Sequence, residues 1–114
     1  MENIDPSDPE MLSITAELIG KDLEVALHEH LPKKQDIAYQ ELFDLVERQI
    51  RYLLEKNVEK LMQAFYRIDV GEDKVKKVLA FGEGENVSGE LTKLVLEREM
   101  QKAYFRRKYS QRKP

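Results

Sequence analysis

The sequence predicts a small all-α protein, a bundle of four to five helices, from three observations. Apolar residues recur at intervals of three and four along several stretches, the repeat of a helix with one buried face. Helix-starting and helix-stopping residues stand between those stretches. Charged residues make up 36% of the chain beside 41% hydrophobic ones, which suits helices that each keep one face in water. At 114 residues the chain reads as a single domain over residues 1–114, long enough for one core without staples.

The first helix is expected to start at Ser7 or Asp8, whose short side chains can accept from the free amides of a first turn, with Pro9 just inside. Met11, Ile14 and Leu18 make its apolar face, with Ile19 at the edge. Gly20 allows a kink or a break, the pattern continues through Leu23, Ala26 and Leu27, and His30-Leu31-Pro32 ends the element. Residues 32–36 are a polar connector, and Asp36 can cap the next helix. Residues 38–70 are expected to form the spine at the centre of the bundle, which the last helix closes, with Leu42, Leu45, Val46, Ile50, Leu53, Leu54, Val58, Leu61, Met62, Phe65 and Ile68 at helical spacing. Three opposite charges stand four apart on its other side: Asp44 with Arg48, Glu47 with Arg51, and Arg51 with Glu55. Asn57 can cap a new helix, so a break is expected near Lys56–Asn57. Asp69-Val70-Gly71 is a turn. Glu72 and Asp73 then open a short helix burying Val75, Val78 and Leu79, and Gly82 stops it. A mobile loop comes next, and a last helix starting at Asn86 or Ser88 docks through Leu91, Leu94, Val95 and Leu96. Residues 1–6 are expected to be flexible and 110–114 frayed.

The net charge of −3 conceals an asymmetry. From Arg98 to Pro114 there are seven Lys or Arg and one acid, Glu99, giving +6 and leaving −9 for the rest. Without cysteine there is no disulfide, thiolate metal site or cysteine nucleophile. No apolar run approaches the roughly 18 residues of a membrane span, and the acidic start lacks the order of a signal peptide. The expected location is cytoplasmic, with no membrane partner.

Nothing in the chain forms a catalytic, cofactor or metal signature. His28 and His30 stand two apart, where a helical metal pair needs three or four, and no further Cys or His completes a set. Asp69, Glu72 and Asp73 lack the order of a calcium loop and read as helix-start carboxylates. Tyr66 reads as a core-edge residue with its hydroxyl in water. Residues 64–79 carry a helix–turn–helix order in Ile68, Asp69, Val70, Gly71, Val75 and Val78. Phe65 stands there in place of a small residue, however, Asp69 in place of a glycine, and Glu72 and Asp73 would oppose phosphates.

The segments YRIDVGEDKVKKVL and LVLEREMQKA, the latter with Arg98, Gln101 and Lys102, resemble a group of small uncharacterised bacterial proteins over roughly residues 40–107. The resemblance implies a helical fold and carries no activity with it.

The sequence therefore points to a non-enzymatic interaction or regulatory protein without a cofactor. Its expected contact surface is the basic last helix: Arg98, Lys102, Tyr104, Phe105, Arg106, Arg107, Lys108 and Tyr109. The partner would be another protein or a second copy of the chain. The alternative is nucleic acid, bound by that helix alone or with the lysines of the 64–79 element. A third reading has the tail fold back on the chain's own acidic body.

Overall fold

The computed structural model describes residues 4–24, 38–82 and 86–111, and every regular element among them is a helix. There are five: α1 (Pro9–Asp22), α2 (Tyr39–Lys56), α3 (Val58–Ile68), α4 (Glu72–Phe81) and α5 (Asn86–Gln111). The expected all-α bundle is present.

Asp8 is the cap of α1, its carboxylate accepting from the amides of Glu10 at 3.0 Å and Met11 at 3.3 Å, with Pro9 in the first turn. The helix passes through Gly20 without a break and stops at Asp22, well before His30. Its end is closed by backbone bonds from Leu23 and Glu24, the latter at φ 55°. The buried face also differs from the expected one. Met11, Leu12, Thr15, Ala16 and Ile19 face the core, while Ile14 and Leu18 lie at its margin. Thr15 is the one polar residue on that face. Its hydroxyl donates to the Met11 carbonyl at 2.6 Å, so the residue enters the core with its polar atom satisfied.

The spine breaks at Asn57, as its position predicts. The amide of Asn57 closes α2 on the Leu53 carbonyl, and its side chain accepts from the Lys60 amide at 3.1 Å to open α3. The N-cap of α2 is Ala38, where Glu41 reaches back to the Ala38 amide at 3.2 Å. The proposed cap Asp36, the 32–36 connector, the His28–His30 pair and the loop at 83–85 lie outside the described residues. Of the three expected charge pairs on the spine, Glu47 meets Arg51 at 3.5 Å. The Asp44 carboxylate instead accepts from Gln40, and Arg48 donates to the Asp44 carbonyl.

Asp69 adopts a left-handed conformation and Gly71 a φ of 106°, so the chain reverses in three residues between α3 and α4. Only Val75 of α4 is buried. Val78 is half-buried and Leu79 largely exposed, against the three-residue face expected.

The spine is not the centre. That place belongs to α5, which touches each of the other helices, most extensively α1 and α2. At 26 residues it is about 39 Å long, which lets it reach all four. Its buried stripe is Ser88, Leu91, Thr92, Val95, Leu96, Glu99, Met100 and Ala103. The core it closes includes Leu12, Ile19 and Leu23 from α1 and its end, Leu42, Val46 and Ile50 from α2, and Leu61 and Ile68 from α3.

Candidate functional site

The residues expected to form a basic contact surface lie on one helix, and most of their charges are paired with acids of the chain itself. Arg107 lies 2.8 Å from Asp8 and 3.7 Å from Glu10. Arg106 lies 3.3 Å from Glu17, and Arg98 lies 3.5 Å from Asp69 while its other nitrogen donates to Gln101. Lys102 sits between Asp22 at 3.3 Å and Glu99 at 3.0 Å, and also donates to the Arg67 carbonyl. Four of the five cations proposed as a contact surface thus fasten α5 to α1 and to the α3–α4 turn. The Arg107 hydrogen bond is the main reason the Asp8 carboxyl titrates below its usual range. The fifth cation, Lys108, stands 5.9 Å from the centre of the Tyr104 ring. Tyr104 and Phe105 meet edge to face at 5.4 Å, and Phe105 stacks near Tyr109, of which 61% remains exposed.

At the inner end of this seam lies the residue that sequence reasoning counted only as the tail's lone acid. Glu99 is 0% exposed. Lys102 approaches Oε1 within ion-pair distance, yet neither carboxyl oxygen has an aligned hydrogen bond. Burial first, and the neighbouring Asp22 carboxylate second, push the Glu99 carboxyl up to about 8 against the pull of Lys102. The signal was legible: Glu99 falls three and four residues after Leu96 and Val95 and four before Ala103, in phase with the buried stripe.

A different surface opens between α3 and α4. It is a groove of about 530 Å³. Met62, Phe65, Val75 and Leu79 supply its apolar lining, and Asp69 and Glu72 stand at the turn where the two helices meet. Tyr66 at its edge is 88% exposed, and Phe81 at the end of α4 is 82% exposed. Most of the lining falls within 64–79, where the sequence suggested a helix–turn–helix. The order of elements is that of the motif, but the packing is not. A closed motif seats its second helix on its first, whereas α4 leans mainly on α5 and leaves the groove between. Phe65, standing where a small residue would allow close approach, lines the gap.

Among the described residues no group of three or more His, Asp or Glu could hold a metal ion, and no helix is long and apolar enough to cross a membrane. Comparisons with protein-family models, curated proteins and solved structures find no match to this chain.

Proposed function

We propose that this is a non-enzymatic interaction protein of the cytoplasm that binds an amphipathic helix of a partner protein in the α3–α4 groove. The observation that carries this reading is the groove itself: apolar, open, and edged by Tyr66, whose ring is an exposed apolar surface that a bundle of this size does not need. Its volume falls within the usual range of ligand sites. Its walls of eleven and ten residues match a partner helix that presents anchors at three- and four-residue spacing. Charge selects among such helices. The side chains of Asp69 and Glu72 are 79% and 81% exposed, so both can meet a Lys or Arg of the partner while holding Arg98 and Lys76. The reading keeps the expected class of function and moves the surface from the basic helix to the α3–α4 corner. Cations already matched by acids on α1 have less to offer phosphates, which makes nucleic acid the weaker reading. The non-enzymatic part is supported by Glu99, whose carboxyl is pushed strongly from its usual range yet is sealed from any substrate.

The test is a titration of the labelled protein with a designed amphipathic peptide carrying a leucine stripe flanked by lysines. Shifts centred on Met62, Val75 and Leu79 are expected, with affinity lost in Leu79→Glu and weakened when glutamates replace the peptide lysines. Shifts centred on Tyr104, Phe105 and Tyr109 instead would overturn the reading and return the contact surface to the basic helix.

A further inference from the structure

The charges enclosed in the seam do not balance. Two carboxyl groups, those of Glu99 and Asp22, share one ammonium, that of Lys102, at 3.0 and 3.3 Å. Glu99 is fully enclosed and the Asp22 side chain only 14% exposed, so water compensates neither well. One ammonium balances one carboxylate. The second carboxyl must keep its proton or lie buried as an uncompensated charge.

Among the described residues the charged groups that act on the Glu99 carboxyl are Asp22 and Lys102. From α3, the Arg67 guanidinium is engaged with the Asp22 carbonyl, at 3.1 and 2.7 Å, and with Glu24 at 4.0 Å, and its own carbonyl accepts from Lys102. On α5 itself, Arg98 is turned towards Asp69 and Gln101. From α2, Glu47 meets α5 at Ser88, about three helical turns away. The charged residues of α4, from Glu72 to Lys77, are exposed.

We propose that Glu99, Asp22 and Lys102 form a proton-dependent clasp, which fastens the end of α1 to α5 while one of the two carboxyl groups keeps a proton and releases it when that proton leaves. The place suits the task. Asp22 is the last residue of α1, and its carbonyl and carboxylate are the polar ties from that end to α3 and α5. Beyond it, Leu23 is buried and Glu24 takes a left-handed conformation, so a loosened Asp22 unseats the end of the helix before its middle. Asp8 and Arg107 hold the other end of α1 by a pair that keeps its charges through the same change. The release is therefore local.

The experiment uses the full chain with carbon-13-labelled glutamate carboxyls and labelled Leu and Ile methyls. The Glu99 carboxyl is expected to titrate near 8 rather than near the ordinary 4.5. The Leu23 and Ile19 methyls should shift with the same midpoint while those of Leu42 stay in place. Tryptic cleavage after Lys21 should accelerate across that midpoint in the natural chain but not in Glu99→Gln, which keeps an uncharged group there at every pH. Asp22→Asn should bring the Glu99 midpoint down. A Glu99 midpoint near 4.5 overturns the proposal. So does a midpoint near 8 with cleavage after Lys21 no faster than in Glu99→Gln. Should that variant not fold, the carboxyl and methyl titrations of the natural chain decide alone: Leu23 methyls that fail to follow Glu99 overturn the clasp.

Discussion

The α1–α5 seam and the α3–α4 corner are built from similar kinds of helical residues and finish in opposite ways. In the seam the acids of α1 and its cap are answered: Asp8 and Glu10 by Arg107, Glu17 by Arg106, Asp22 by Lys102, with Leu12, Ile19 and Leu23 beneath. At the corner the apolar residues are only partly answered, and Tyr66, Leu79 and Phe81 face outward. Composition separates the two poorly, since both have aromatics, acids and lysines or arginines. Register separates them. On α5 the cations recur at four-residue spacing, at 98, 102 and 106, along the side that faces acids. On α4 the lysines at 74, 76 and 77 stand around the exposed surface, where Lys76 meets an acid of its own helix, Glu72 at 3.1 Å.

If the comparison is right, large-to-small changes should divide by region. Ile19→Ala beneath the seam, or Leu61→Ala and Leu53→Ala in the shared core, should each cost about 2–5 kcal/mol, because all three are buried among other apolar side chains. Leu79→Ala at the corner should cost much less, since nearly half of that side chain is already in water. Urea midpoints measure both. Equal losses at Leu79 and Leu61 would mean the corner is as closed as the core.

The seam should also respond to pH where the corner does not. In the folded chain Glu99 keeps a proton that the unfolded chain gives up near 4.5, because its folded value is raised to about 8. Stability should therefore fall as pH rises from about 4.5 to about 8 and level off above it. Glu99→Leu should remove most of that slope and prove neutral, or stabilising by about 1–4 kcal/mol, at the alkaline end. Denaturation curves in mildly acidic, neutral and alkaline buffer for both chains give the answer, and parallel slopes would show that Glu99 has no part in them.

Smaller effects sharpen the picture. Asn57→Ala removes the cap on the Lys60 amide and should cost about 0.5–2 kcal/mol, whereas in an unbroken helix the same change would be neutral or favourable. Arg106→Ala, at an exposed pair with Glu17, should cost no more than about 1 kcal/mol, and the loss should shrink in high salt. Smallest of all, Tyr66→Ala should leave the melting temperature nearly unchanged while weakening binding of the amphipathic peptide.

Much of the fold could be read from the chain. Asp8 with Pro9, Asn57, the Asp69–Gly71 turn and Gly82 stand at helix ends because each supplies a bond or a backbone shape that the end requires. The phase of α1 could not be read in the same way. Its apolar residues fit two faces, and Thr15, whose hydroxyl is satisfied by its own helix, stands on the one that is buried with Leu12, Ala16 and Ile19. The central place of α5 was hidden for a related reason: Ser88, Thr92 and Glu99 interrupt its stripe in composition but not in space. As for function, the basic residues of 98–108 stand out in the sequence as a group. Whether they face a partner or the chain's own acids depends on the angle at which α1 crosses α5, which no local pattern records. The groove was foreshadowed by Phe65, whose bulk is unsuited to a close corner.

Asn57 has a further consequence for how sequence length can change in this protein. It is the only residue between α2 and α3, closing one helix with its amide and starting the next with its side chain. A longer linker would absorb an added or lost residue as slack. Here there is none, and one more residue in either helix advances the chain by about 100° around the axis. Leu61, Ala64, Phe65 and Ile68 would then swing off α5 together, carrying one wall of the groove with them. Insertions at this point are thus errors of phase rather than of length, and a second change of opposite sign nearby should restore what a polar or flexible patch would not.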